Sequence, residues 1–319
     1  MSEIATDWDK KKFDIKEYII YLGFVAIFGF FSIALFNKGF LTGSNLMNIA
    51  RQTAMISVMA IGMTFVLAAG EIDLSIGSVV ALSSLTTALA LRHSNIFIGV
   101  IVGLGTGALV GSVNGLLVTK VRIPSFLVTL GTMGIVSGFA RWITNLKSIP
   151  VTNDIYNFIF GSGDIGPVSV LFIWTLLLLA VGQLVLKKTS FGRYVLATGG
   201  NKISAMYSGI KVDKIKLLVI IMNGMLASLA GMLYAGRLHG ARYTLGETDL
   251  LTVIAAVIIG GTSLFGGRAF VIGSVIGSLI MGMINNGLIL MGLSVDQQMI
   301  FRGVIIIAAV SLTLREKRK

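Results

Sequence analysis

The chain has 319 residues, of which 55% are hydrophobic and only 13% charged, and its mean hydropathy is +0.90. Soluble domains carry about 25% charged residues, and a water-soluble fold of this length could not hide so much apolar surface, so a bilayer is required. The absence of cysteine excludes a disulfide framework, a thiolate metal site and a cysteine nucleophile. The net charge of +12 reads as loop lysine and arginine setting membrane topology rather than as a nucleic-acid surface.

Residues 1–17 form a mostly polar N-terminal segment containing Lys10-Lys11-Lys12. No small-residue cleavage site follows the first apolar run, so that run is expected to remain as a helix. Ten apolar runs then follow in order, at about 18–36, 49–69, 74–91, 96–119, 125–142, 168–186, 215–236, 250–264, 269–290 and 299–314. The expected fold class is an all-α integral membrane protein with about ten transmembrane helices. It has one domain, 18–314, and a basic tail, 315–319. Residues 54–91 are nearly unbroken apolar sequence, which as one helix would be about twice as long as the hydrocarbon layer is thick. The polar interruption Gly70-Glu71-Ile72-Asp73 is where it must break.

With the N-terminus in the cytoplasm, ten spans place 18 of the 26 Lys and Arg on the cytoplasmic side. Both termini are therefore expected there. Gly99, Gly103, Gly107, Gly111 and Gly115 recur every four residues along the fourth span, a smooth stripe that suits close helix packing. Asn114-Gly115-Leu116-Leu117-Val118 ends the fourth span and Asn286-Gly287-Leu288-Ile289-Leu290 ends the ninth. A five-helix offset reverses orientation, so this faint match points to inverted repeats, a common transporter architecture.

The chain has two histidines without metal spacing, and no Gly-x-x-x-x-Gly-Lys-Ser/Thr loop to cradle a nucleotide. It is not expected to be an enzyme or to hold a cofactor; ATP with its magnesium would be handled by another subunit. The long basic loop 187–216 contains Asn201-Lys202-Ile203-Ser204-Ala205-Met206-Tyr207-Ser208-Gly209-Ile210. Asn201 can cap a helix start and Gly209 can end the helix in the left-handed conformation. Ile203, Met206, Tyr207 and Ile210 then form an apolar knob. So short a helix is unstable alone in water, and it would dock either on a soluble partner or on its own membrane domain.

This loop resembles the coupling helix of bacterial ABC transporter permeases of the ribose/xylose type, whose pattern is Gly-x-Asn-x-x-Ala-Ala-x-x-Ser-Gly-Ile. Gly199, Asn201, Ala205, Ser208, Gly209 and Ile210 match, and Ser204 departs. The resemblance covers most of the chain. Gly70-Glu71-Ile72-Asp73-Leu74-Ser75-Ile76-Gly77 is similar to the family's Gly-Gly-Ile-Asp-Leu-Ser-Val-Gly, with Glu71 departing. The blocks 123–133, 254–268 and 285–288 match in order. The resemblance implies an importer permease of the bacterial inner membrane that pairs with a second permease copy or paralogue, with ABC ATPase subunits gripping residues 201–210, and with an extracytoplasmic sugar-binding protein on loops 143–167 and 237–249. Arg141, Lys147, Arg237 and Arg242 would face that protein. The alternative is a stand-alone, ion-driven secondary transporter or channel for a small polar solute.

Glu71 and Asp73 are costly in a bilayer, at about 2.5–3.5 kcal/mol each. They either line a pathway or, at a membrane face, shape a turn in which Asp73 caps the helix beginning at Ser75-Ile76. Ser75, Asn114, Thr132, Asn223, Asn285 and Asn286 join Asp73 as candidates for pathway lining or helix packing. Uncharged amides suit sugar hydroxyls, and they suit interhelical hydrogen bonds equally well.

Overall fold

The computed structural model describes residues 15–316; residues 1–14 and 317–319, most of the polar N-terminal segment and of the basic tail, lie outside the described residues. Thirteen α-helices are described: α1 Ile15–Ala34, α2 Gly43–Ala68, α3 Ile76–His93, α4 Ile96–Leu116, α5 Ser125–Thr144, α6 Asp154–Asn157, α7 Val170–Lys188, α8 Ser190–Gly200, α9 Lys202–Tyr207, α10 Val212–Leu238, α11 Asp249–Ile259, α12 Val271–Leu290 and α13 Val295–Glu316. A helix overlies each of the ten apolar runs. Among the described residues seven helices (α2, α3, α4 with its continuation to Val121, α5, α7, α10 and α12) are long and apolar enough to cross a membrane.

The eighth run was expected to span, and here the structure differs. Its helix, α11, has eleven residues, or about 16 Å of length, roughly half the hydrocarbon thickness. Gly260 and Gly261 end it, Gly261 in the left-handed region at φ 89°. Segment 242–248 ahead of it packs against α3, with Gly246 close to Gly77 and Val80.

The centre of the bundle is α2, α3 and α10, whose apolar spans are mostly buried within the protein, whereas α4, α5 and α7 present most of theirs outward. The glycine stripe of α4 explains how the two classes meet. Gly99, Gly103, Gly107, Gly111 and Gly115 are the buried residues of that helix together with Asn114, and α10 is its most extensive neighbour. A side chain at Gly107 would collide with the backbone of Gly224, and one at Gly111 would come within 2.9 Å of Ile221 Cα and Ile220 O. Such close approach replaces the hydrophobic driving force that lipid does not supply.

The bundle has two recognisable ends. At one, α2 stops, α3 starts, and α8 and α9 sit between α7 and α10. At the other, residues 149–150 pair antiparallel with 240–241, Arg51 pairs with Asp164 at 2.6 Å, and Tyr156, fully buried, donates its hydroxyl to Met232 O at 3.0 Å.

Candidate functional site

The end carrying α9 is the part of the molecule with the most organised polar chemistry. Asn201 caps α9 by accepting from the Ser204 amide at 3.0 Å. The helix ends where the Ile210 amide reaches back to Ala205 O at 3.0 Å, with Gly209 at φ 79°, a conformation that disfavours any residue with a Cβ. Ala205 faces inward at 3% exposure, whereas Ile203, Met206 and Tyr207 face outward, Tyr207 at 90%. An exposed aromatic flanked by two exposed aliphatics is an unsatisfied contact surface.

The segment carrying α9 is fastened on both sides to the α2–α3 break. Before α9, Gly199 lies against Ala68 O and against Gly266 and Gly267, and the Gly267 amide donates to Ala68 O at 3.0 Å. After α9, Lys216 on the first turns of α10 donates to the Glu71 carboxylate in a direct ion pair, both side chains being largely buried. The α9 segment is thus attached to the break at two points.

The break itself is pinned by a connected polar network. Gly70 turns the chain at φ 77°. Asp73, 2% exposed, accepts on Oδ1 from the Ser75 amide at 2.9 Å and the Ser75 hydroxyl at 2.6 Å. Its Oδ2 accepts from Asn223 Nδ2 on α10 at 2.8 Å. Asn114 on α4 donates to Ser75 Oγ at 3.1 Å and accepts from Thr132 on α5 at 2.6 Å. Two free amides of the break are satisfied by α5: Ile72 N–H donates to Ser125 Oγ at 3.1 Å and Leu74 N–H to Thr129 Oγ1 at 3.0 Å. Such satisfaction is what permits irregular backbone at membrane depth.

Residues 45–310 match the family model described as the permease component of the branched-chain amino acid transport system. The chain belongs to that permease family. The permease is 40% identical over 282 residues to the ribose import permease of Bacillus subtilis (strain 168), covering 88% of each chain. It is 37% identical to the D-allose transport system permease of Escherichia coli (strain K12), over 97% of this chain and 92% of that protein. It is 32% identical to the L-arabinose transport system permease of the same strain, over 97% and 96%. No solved structure matches it significantly.

Of the seven membrane candidates named from sequence, the permease brings five together: Asp73, Ser75, Asn114, Thr132 and Asn223 form the network just described. Asn286 lies elsewhere, paired with Asn45 at the start of α2 by reciprocal amide bonds of 3.1 and 2.9 Å. Asn285 lines a cavity between α2, α10, α11, α12 and α13. Arg141 is exposed, pairs with Glu247 of the same chain at 2.6 Å and lies over the Tyr243 ring; Arg237 is half-buried and donates to Arg51 O. Lys147 and Arg242 are also exposed. Helix α8 was not anticipated. Its glycines at 192, 199 and 200 lower its helix propensity, yet Phe191 stacks on Phe65 of α2, and Val195 is buried. Sequence reading also missed Lys216, Ser125 and Thr129 as partners of the break, although Ser125 and Thr129 lie in the 123–133 block.

Proposed function

We propose that the chain is the membrane permease subunit of an ATP-driven importer for a monosaccharide or a related small polyol, forming the translocation path while separate subunits hydrolyse ATP. It is a multi-pass protein of the bacterial inner membrane. The single observation that carries the coupling part is α9: a capped, outward-facing apolar knob whose two flanks are fastened to the α2–α3 break. Residues Asn201, Ser204, Ala205, Met206, Tyr207, Ser208, Gly209 and Ile210 form the unit that an ABC ATPase grips. When ATP draws two such ATPases together, α9 moves, Gly199 and Lys216 carry the movement to residues 68–73, and the spans that meet there tilt as bodies. A second permease, identical or paralogous, completes the path, and an extracytoplasmic binding protein delivers the sugar at the opposite end.

Orientation follows from charge. Lys120, Arg122, Lys187, Lys188, Arg193, Lys202, Lys211, Lys214 and Arg268 all belong to segments at the α9 end, which by the positive-inside rule is cytoplasmic. With ten helices crossing or entering the membrane, both termini lie on that side. Asn114 sits near the α9 end of α4 and Asn286 near the far end of α12, the opposite placement that inverted repeats require. Sugar selectivity is proposed from the ribose, allose and arabinose permeases that the chain resembles, in preference to the amino acid named in the family's description.

The ion-driven alternative needs a titratable group free to exchange an ion at mid-depth. Asp73 has both oxygens engaged and Glu71 is paired with Lys216, which favours the ATP-driven reading. Reconstitution separates the two. In proteoliposomes, sugar uptake is expected only when the ATPase, the binding protein and ATP are all supplied; uptake by the purified chain alone under an ion gradient would overturn the proposal.

A further inference from the structure

Beside α9, a cavity of about 680 Å³ opens between the α4–α5 turn and the segment that joins α9 to α10, a volume within the roughly 300–1,000 Å³ of small-molecule sites. Its lining is strongly basic. Lys216 is engaged by Glu71, and Asp213 sits in the first turn of α10, where an acid complements the helix dipole. Arg122, Lys202, Lys211 and Lys214 also line the cavity. All four are exposed, and among the described residues none of them forms an ion pair. Such an excess of cations around one concavity attracts an anion.

Fold stability does not account for these cations. Arg122 stands at φ 65°, a left-handed conformation that any residue with a Cβ adopts at a cost. Lys211 immediately precedes α10 and Lys214 lies in its first turn, at the end of the helix dipole that repels positive charge. The positive-inside rule accounts for basic residues on this face, but not for three costly placements converging on one cavity.

The lining is also amphipathic. Val118, Ile123 and Pro124 give the cavity an apolar side. Next to them Val121, Phe126 and Leu127 are exposed, on the continuation of α4 and on α5, two helices that present most of their apolar spans outward. Acyl chains meet such a surface, and a basic pocket between spans at the cytoplasmic side suits an anionic headgroup. A free phosphate would use the cations and leave the apolar side uncovered.

We propose that this cavity binds the phosphodiester headgroup of an anionic phospholipid from the cytoplasmic leaflet, with Arg122 on one side and Lys211 and Lys214 on the other. The lipid ties the α4–α5 turn to the base of α10 and steadies the segment carrying α9, so that anionic lipid promotes coupling. The site goes beyond the importer reading and rests on it only for the side of the membrane and for this consequence.

Native mass spectrometry of the purified, full-length permease in detergent reads the binding directly, with phosphatidylglycerol, phosphatidylcholine, glycerol 3-phosphate and inorganic phosphate as probes. Phosphatidylglycerol is expected to be retained and phosphatidylcholine lost. Arg122→Gln and Lys214→Gln are each expected to weaken phosphatidylglycerol about fivefold, and together about 25-fold. Lys187→Gln with Lys188→Gln removes two exposed cations of the same face that do not line the cavity, and is expected to leave the affinity unchanged. Should the double variant at 122 and 214 fail to fold, Lys214→Gln alone, at an exposed position, carries the test. Equal retention of the two lipids, displacement of phosphatidylglycerol by either free phosphate at equal concentration, or equal weakening by the Lys187 and Lys188 changes would each overturn the site. Expulsion of the lipid on adding the ATPase subunits would do so too, by making the cavity a contact for that partner. In the assembled importer, sugar-stimulated ATP turnover is expected to rise when phosphatidylglycerol is added to phosphatidylcholine vesicles, and the double variant is expected not to respond; an equal rise in both would overturn the regulatory role. Binding to the permease alone requires no ATPase, so failure of the site is distinguishable from failure of the importer reading.

Discussion

Replacing Tyr207 with aspartate is expected to leave the permease folded and inserted while abolishing sugar-stimulated ATP turnover in the assembled importer. The side chain is 90% exposed and lies on a helix held from its other face by Ala205, so its loss changes fold stability by less than about 0.5 kcal/mol, as for other exposed positions. At an interface the same ring acts as an anchor. Hot-spot aromatics contribute about 2–4 kcal/mol on truncation, which corresponds to about 30- to 1,000-fold in affinity, and a carboxylate adds a desolvation cost. Tyr207→Phe keeps the apolar body and is expected to retain most of the turnover. Ser208→Arg and Gly209→Val act on the same surface by a different route: the first adds bulk beside the knob, and the second places a β-branched residue at φ 79°, where a Cβ costs about 1–2 kcal/mol. Size-exclusion profiles and ATP turnover with and without binding protein and sugar separate folding from coupling in all four variants.

Asp73→Ala is expected to be the most destabilising single change at the break. It strands the Ser75 amide, the Ser75 hydroxyl and Asn223 Nδ2, three donors buried away from water. At about 1–3 kcal/mol for each unsatisfied group the loss is about 3–9 kcal/mol, well above the roughly 0.6 kcal/mol of an average interhelical hydrogen bond in a membrane. Asp73→Asn is expected to cost far less. Its carbonyl oxygen still accepts from Ser75, and Asn223 Oδ1, buried and unpartnered in the native chain, becomes an acceptor for the new amide once the Asn223 side chain rotates. A thermal series on the detergent-solubilised permease checks the order native, Asn, Ala, and the small Asn step distinguishes a turn-forming acceptor from a group that must carry charge.

These two sites differ in how far the sequence alone revealed them. The α9 cap was legible because its determinants are local: Asn201 precedes the amide it satisfies by three residues, and Gly209 stands where a left-handed residue is needed. The break at 70–75 was legible from length, since no helix that long fits a bilayer, and from the polar interruption at 70–73 that marks its place. Its partners were not. Glu71 has no basic residue near it in sequence, and its cation, Lys216, arrives from 145 positions away because α10 begins beside the end of α2. The shortness of α11 and the packing of Gly246 against α3 were hidden for a related reason: an apolar run announces burial in lipid or protein, but not which of the two. The intrachain contacts of Arg141 and Arg237 were out of reach for the same reason, since sequence shows charge and not the Glu247 carboxylate or the Arg51 backbone oxygen that engages it. Asn285 was named among the amides, yet the cavity it lines is assembled from five separated helices.

The most direct measurement uses a single thiol at the knob. With Tyr207→Cys as the sole cysteine in whole cells, a membrane-impermeant maleimide is expected to leave the position unlabelled until the membrane is opened. An oxidant is then expected to cross-link it to a cysteine placed in the ATPase subunit. Labelling of intact cells from outside would place α9 on the wrong side of the membrane and contradict its role in transmitting ATP-driven movement.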